Sequence, residues 1–573
     1  MLNYINRLLP IINWAQEYTL EDLRADAIAG VIVLFITIPQ VIAYAFLAGL
    51  PPEVGLYAAI AALLGYAAFG SSRSLAVGPT AILAMMTLEA TSSFAVPGTE
   101  EYAVLAIKLA LVTGLVLIGL RAINFGAVIN FLSHAVVTGF ISAAAILIIT
   151  NQFPAILGLG SPADSSVLGI LGFLMESTSQ LNLVVVAISV SALTLLIFCR
   201  HYLESILIRL GLGPQMVVNL VKSAPMYAVI IGIGLTAAYG LDISSAVPIV
   251  GVIPASLPVP ALVSITLDEI QALLPSAVLM AMVVFMESTS VGAAMASKKR
   301  QKIDPNQELV GLGMANIAAS IAGGFTVAGS FARTVVNFSS GAVTPVASII
   351  TAILVVITVL WFTPFFYYLP KGVLAAIIIL SAWQLIDLPV IKRIFVFNVT
   401  DALTFSCTFL AVLSLGVETG ILIGIIISFV LLIRSSSRPH IVIVGRMGDT
   451  EHFRNVDRFE TGTSPEVLTV RIDQGVYFVN TRYIESFMLN AVAEAKDVKH
   501  VILVCTAVNF IDTAGLEMLE HLCDNLHEQG TTLHLAEVKS AVMDKLKKTD
   551  FGEHMKGNIY FTTDIAVKDL ETV

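Results

Sequence analysis

Read as alternating apolar and polar stretches, the chain is a near-continuous series of runs long enough to cross a bilayer, followed by a tail of different texture. A spanning helix needs about 20 apolar residues. Candidate spans fall at 27–48, 54–70, 102–120, 126–150, 182–199, 224–240, 272–296, 346–362, 372–386, 401–416 and 418–434, with other runs short or broken. Two runs fail as simple spans. "RSLAVGPTAILAMMTLEA" (73–90) and "GGFTVAGSFARTVVNFSSG" (323–341) are interrupted by Gly and a β-prone stretch before resuming as short helices. Irregular backbone at membrane depth is tolerated only where it is buried in protein or lines a cavity. Paired breaks in the two halves of a membrane chain point to an inverted repeat with its binding site at the breaks.

Composition agrees with this division. The 573 residues are 57% hydrophobic and 13% charged, with mean hydropathy +0.88. Residues 441–573 hold 13 Lys+Arg and 21 Asp+Glu, leaving 31 − 13 = 18 and 41 − 21 = 20 for the first 440. The expected organisation is an amphipathic lead-in at 1–25, with too mixed a charge pattern for a cleaved signal, then a transmembrane domain at 26–434, a linker at 435–440 and an α/β domain at 441–573. The net charge of −10 and the lack of a basic patch exclude nucleic acid as a partner. Cys199, Cys407, Cys505 and Cys523 lack metal or disulfide spacing, so they read as packing, and no metal or cofactor is expected.

Loop charges orient the spans. Arg73, Arg121, Arg200, Arg209, Lys298, Lys299, Arg300, Lys302, Lys392 and Arg393 fall in alternate loops. By the positive-inside rule those loops, both termini and the tail are cytoplasmic. Glu53, Glu100, Glu101, Asp242, Asp268 and Glu269 occupy the opposite loops, where Lys371 is the exception.

The chemistry sits at the breaks. A helix starting near Gly329 or Ser330 offers free N–H groups and a positive dipole end, with Arg333 about a turn inside it. A facing helix starting near Pro79, a favoured first helical residue, adds the N–H and hydroxyl of Thr80, and Gly78 belongs to the same break. Two helix starts and a guanidinium make an anion site; the alternative is an Arg that snorkels or pairs with a carboxylate. Glu287 lies about 16 Å along its helix from the basic edge at Lys298, near mid-membrane. A carboxylate there is protonated, binds a cation, faces Arg333, or bonds locally to Ser288 or Thr289. In the first span Pro39 removes a helix hydrogen bond and is expected to kink the helix, and Gln40 and Tyr44 share a face, offering polar groups to a cavity or to a neighbouring helix. Lys108 reads as a snorkelling side chain, and His134 as packing.

"IPQVIAYAFLAGLPPEVGLYAA" with "FGSSRSLAVGPTAILAMMT", "MESTSVGAAMASKKRQKIDPNQELVGLGMANIAASIAGGFTVAGSFARTVVN" and "LVCTAVNFIDTAGLEMLE" together resemble the sulfate permease (SulP) family, whose wider membership includes pendrin and the motor protein prestin. The resemblance covers nearly the whole chain. It implies an α-helical polytopic fold of fourteen segments in a 7+7 inverted repeat, divided into core and gate domains, in a homodimer with a C-terminal STAS domain. Its anion site maps onto Gln40, Tyr44, Thr80 and Arg333; Gly78 and Ser330 complete the substrate-binding set expected here, and Glu287 is the expected coupling-ion residue. Two departures stand out. Ala332 replaces a Ser that many relatives carry before the Arg, and Ala514 replaces the Ser that is phosphorylated in signalling STAS proteins. Without the resemblance the tail still reads as α/β: "HVILVC" is a strand, Asp512 caps a 513–529 helix, Gly530 stops it, and "TTLHLAEV" is the next strand.

The resulting expectation is a secondary active transporter in a cytoplasmic (inner) membrane, embedded in lipid. It would carry a small inorganic anion, sulfate first, by alternating access with a coupling cation, proton first and sodium as the alternative. Alternatives are a sodium-coupled bicarbonate carrier, a C4-dicarboxylate carrier, an uncoupled anion channel or a STAS-linked receptor. No nucleophile-elbow, Walker or zinc signature supports an enzyme.

Overall fold

A computed structural model describes residues 9–16, 18–126, 133–160, 166–260, 263–495 and 497–571. The chain divides into two compact units, residues 1–427 and 428–573.

In the first unit, α1 (Leu20–Leu47) starts at a capping box in which Thr19 and Asp22 bond reciprocally, so it begins inside the expected lead-in. It runs as one helix through Pro39. Then follow α2 (Pro52–Phe69), a two-residue strand β1 (Val77–Gly78), α3 (Ala81–Ser92), α4 (Glu100–Ala122), α5 (His134–Leu157), α6 (Leu183–Phe198) and α7 (Ala224–Tyr239). The second half comprises α8 (Leu267–Lys298), α9 (Pro305–Ile321), strand β2 (Ala328–Gly329), α10 (Phe331–Ser339), α11 (Val346–Ile357), α12 (Lys371–Trp383), α13 (Val399–Leu415) and α14 (Val417–Ser437). Among the described residues, nine helices are long and apolar enough to cross a membrane, or ten if Met216–Lys222 and α7, bent by 51°, form one span. The broken segments end in two short helices, α3 and α10, one in each half.

Several expectations shift locally. The start of the run expected at 126–150 lies partly outside the described residues, and its helix continues to Leu157. The final helix extends through Ser435–Ser437 into the expected linker; Arg434 in its last turn favours the negative helix end. Lys108 does not snorkel freely: its Nζ lies 2.5 Å from Glu269 Oε1 at the start of α8.

Packing separates two helix groups. Helices α1, α2, α4, α8, α9 and α11 pack mutually, and α5, α6, α7, α12 and α13 form another group; α1 meets the second group at α7 and α12. Small residues permit the closest approaches within the first. A Cβ on Gly114 of α4 would lie 2.8 Å from the Gly313 carbonyl of α9, and one on Gly55 of α2 would lie 2.1 Å from the Val41 carbonyl of α1.

The second unit holds a six-stranded sheet in the order β4-β3-β5-β6-β7-β8. Its strands are β3 (Ile441–Arg446), β4 (Phe453–Asn455), β5 (Val467–Ile472), β6 (His500–Val504), β7 (Thr532–Ala536) and β8 (Ile559–Tyr560). From β5 to β8 the strands are parallel, and β3 is antiparallel to both neighbours. Helix α15 (Thr481–Glu494) connects β5 to β6, and α16 (Thr513–Glu528) connects β6 to β7. Asp512 caps α16, accepting from the Gly515 N–H at 2.8 Å, and also accepts from the Phe478 N–H at 3.0 Å. All four cysteines are free. Burial pushes the Cys505 and Cys523 thiols up to about 12, which suits packing and not reactivity. Buried beside His500, His534 is held down to about 4 and stays neutral.

Candidate functional site

The two breaks meet. Strands β1 and β2 pair antiparallel, Val77 against Gly329 and Gly78 against Ala328. The Ser330 N–H extends the pairing by donating to the Ala76 carbonyl at 3.0 Å. Pairing satisfies backbone groups that lipid could not. Immediately beyond the strands, α3 and α10 begin, so two helix N-termini lie at one place. Thr80 is the N-cap of α3, with φ −124° and ψ 157°, and Ala81 is its first residue. The helix expected to start near Pro79 has its first residue at Ala81. With no N–H to contribute, Pro79 offers its carbonyl, which accepts from Arg333 Nη2 at 2.6 Å. Ser330 caps α10, its hydroxyl accepting from the Arg333 N–H at 3.5 Å.

Arg333 is 2% exposed. Its guanidinium lies across β1: a Cβ on Gly78 would stand 3.1 Å from Nη1 and 3.3 Å from Nη2, tighter than ordinary contact, so the glycine makes room for the fork. Nε has no partner. Glu287 of α8 interacts electrostatically with Arg333, yet among the described residues the two form no ion pair within 4 Å. Ser288, the next residue, accepts from the Gly329 N–H at 2.8 Å and so ties α8 to β2.

A cavity of about 30 Å³ opens between these elements, lined by Tyr44, Thr80, Glu287 and Ser330 together with Phe331 and Ser381. That is the share of one water in the liquid, so a larger occupant requires the helix groups to part. Gln40 approaches through Ser381 of α12, to whose Oγ it donates at 3.2 Å. Gly78 and Arg333 lie behind the lining instead of in it. Four of the twelve buried side-chain atoms without a partner, among the described residues, belong to the expected set: Gln40 Oε1, Thr80 Oγ1, Glu287 Oε2 and Arg333 Nε. An unmet buried polar group costs about 1–3 kcal/mol, and two of these four residues, Thr80 and Glu287, line the cavity.

The braces were not visible in the sequence. Thr334 accepts from the Ala76 N–H at 3.0 Å, and Asn337 donates to the Ser74 carbonyl at 3.0 Å. Asn316 of α9 bonds both the N–H and the carbonyl of Val327. Glu308, fully buried, accepts from the Tyr66 hydroxyl and from the Ser71 and Ser72 N–H groups, fixing the turn that leads to β1. For Ser381 the available signal was a lone hydroxyl in an apolar helix, three residues before Gln384.

Comparison with known proteins decides the family: residues 23–408 match the sulfate permease family, and residues 458–566 match the STAS domain. The chain belongs to the sulfate permease family. It is 31% identical over 584 residues to sulfate transporter 1.2 of Arabidopsis thaliana, covering 98% of this chain and 88% of that one. It is also 31% identical over 536 residues to the chloroplastic sulfate transporter 4.1 of the same plant, covering 91% and 76%. Among solved structures it resembles the murine Solute Carrier 26 family member A9 anion transporter in the inward-facing state, with TM-score 0.89, 21% identity and coverage of 100% and 95%. The transmembrane domain of a cyanobacterium bicarbonate transporter, BicA, matches at TM-score 0.60 and 22% identity, covering 72% and 98%. These two likenesses establish the fold. The sulfate permease chain is thus a multi-pass membrane anion transporter with a STAS domain, and not an enzyme.

Proposed function

We propose that this sulfate permease family member is a proton-coupled secondary active transporter of sulfate. Its site is Gln40, Tyr44, Gly78, Thr80, Ser330 and Arg333, and its coupling residue is Glu287. The observation that carries this reading is the buried Arg333 guanidinium, with a free Nε, placed where two helix N-termini converge. Fixed donors and dipole ends favour a small oxyanion there. The two helix groups supply what alternating access needs: the site lies on the seam where α1 meets α12, and the Gln40–Ser381 bond crosses it.

Coupling follows from charge. Bringing a divalent anion in against 100 mV, negative inside, costs about 4.6 kcal/mol, because each elementary charge costs about 2.3. A cation must accompany it, and Glu287 is the carboxyl that faces the site. By the same reading the protein lies in a cytoplasmic (inner) membrane as a homodimer, with both termini and the STAS domain on the cytoplasmic side. The test is reconstitution in liposomes with radiolabelled sulfate under separate proton and sodium gradients, with bicarbonate, chloride and fumarate as competitors. Saturable uptake driven by an inward proton gradient is expected. Uptake of bicarbonate or fumarate without sulfate, or sulfate uptake driven only by sodium, would replace this reading.

A further inference from the structure

Lys371 breaks the charge pattern of the loops, and the structure gives it a setting. It is the first residue of α12, its Nζ lies 4.8 Å from the centre of the Phe46 ring, and no carboxylate among the described residues pairs with it. It stands at a vestibule of about 290 Å³ between α1, α3, α5 and α12. Gln152 of α5 lines the same space; its side chain is 7% exposed, and no protein group among the described residues takes its amide. Asn151 adjoins it, and the N-terminus of α12, capped by Pro370 without a side-chain bond, adds a positive dipole end. Two carboxylates of this unit have hydrogen-bond donors of their own, with Glu418 Oε1 left without one. Glu89 of α3 accepts from the Val417 N–H of α14, and Glu418 accepts from the Ser276 hydroxyl of α8.

The vestibule and the smaller cavity lie along one seam. Lys371, Leu374, Ile378 and Ser381 follow helical spacing down one face of α12, with the first three on the vestibule and the last on the smaller cavity. On α1, Leu47 and Ala43 line the vestibule, and Tyr44 lines the cavity. The Gln40–Ser381 hydrogen bond joins α1 to α12 along that seam.

We propose that this vestibule is a second anion site. There Lys371 and Gln152 hold a hydrated small inorganic oxyanion on the face of the membrane opposite the Arg- and Lys-rich loops, loading the central site when the seam opens. Its volume is that of about ten waters, enough for a tetrahedral oxyanion that has kept part of its hydration. The inference rests on the transport reading above and deepens it. A lone unpaired cation in a cleft raises the local anion concentration, an effect that falls with ionic strength.

The test uses the full-length protein with sulfate as probe, supplied to one face in intact cells and to the other in inverted vesicles. Lys371→Gln should raise KM roughly three- to tenfold from one face only and flatten the salt dependence of kcat/KM, as expected for lost steering. Lys371→Glu should be worse, Lys371→Arg close to wild type, and Gln152→Leu weaker by about threefold. A flat Arg/Gln/Glu series, or equal KM changes from both faces, overturns the proposal. Because this could be confused with failure of the transport reading, a second measurement stands apart from flux. Crystals of the Arg333→Ala protein soaked in selenate should show anomalous selenium density beside Lys371. Absence of that density there overturns the second site whether or not sulfate is carried.

Discussion

The two broken segments solve one backbone problem in the same way and then diverge in chemistry. Each runs a short extended stretch into a helix start, and each satisfies the other's backbone through the β1–β2 pairing. At its break the first places no charged side chain: Pro79 supplies an acceptor, and the Thr80 hydroxyl has no partner. The second brings Ser330, whose hydroxyl caps its own helix, and Arg333, whose fork reaches back onto the first segment. Symmetry thus provides two converging dipole ends, while a single asymmetric side chain provides the formal charge. Dipole ends contribute typically 0.3–1 kcal/mol each, up to about 2 when partly buried, so on the proposed reading most of the anion's attraction comes from one residue.

The sharpest way to break this comparison is Arg333→Ala. Charge-assisted hydrogen bonds are worth about 1.5–3 kcal/mol each, so loss of the guanidinium should weaken sulfate binding at least about 100-fold. The measurement is equilibrium sulfate binding to protein that remains monodisperse in detergent. Arg333→Lys should recover little, because an ammonium cannot reach the Pro79 carbonyl and still present a planar pair of donors to the occupant. Affinity retained within about threefold in the Ala variant would mean that the dipole ends suffice, because that is under about 0.7 kcal/mol.

Glu287→Gln separates charge that binds from charge that couples. The amide keeps the shape but neither titrates nor carries charge, so uphill uptake under an inward proton gradient should vanish. Sulfate counterflow should persist, since exchange returns the carrier loaded and moves no net proton. Uphill uptake at the wild-type rate would make Glu287 a packing residue; loss of counterflow together with uptake would place it among the anion's ligands.

How far the site could be read in advance depended on whether its signal was local. The breaks are local: Gly and Ser interrupt apolar runs around Gly78 and Ser330, and Arg333 is conspicuous in such company. The STAS helix start is local too, since Asp512 needs only the next few residues to be recognised as a cap. The start of α3 is legible only to within two residues, because Pro79 satisfies the preference for a first helical position while Thr80 is extended and acts as the cap. Ser74 and Asn337, Ala76 and Thr334, and Gln40 and Ser381 are separated by 263, 258 and 341 residues. Nothing in the neighbourhood of either partner announces such a contact. Two-residue strands carry no period at all, so the pairing that organises the site was legible only as a pair of interruptions.

The smallest expected effects discriminate most finely between the two segments. Ser330→Ala removes a helix cap, which typically costs about 1 kcal/mol, and should lower the thermal midpoint of the sulfate-free protein while weakening binding a few-fold. Thr80 is 5% exposed and its hydroxyl is unpartnered, so in the sulfate-free protein it contributes a cost and no bond. Thr80→Val removes that cost at nearly constant shape and should leave the midpoint unchanged or raise it. If the hydroxyl's purpose is the anion, the same substitution should weaken sulfate binding by about fivefold, the equivalent of one neutral hydrogen bond of about 1 kcal/mol. The two variants therefore share a sign in affinity and differ in stability. Differential scanning fluorimetry with and without sulfate measures both quantities on one sample. Should Thr80→Val lower the sulfate-free midpoint as Ser330→Ala does, the first segment would be using its hydroxyl as a cap, and the chemical asymmetry drawn between the segments would reduce to Arg333 alone.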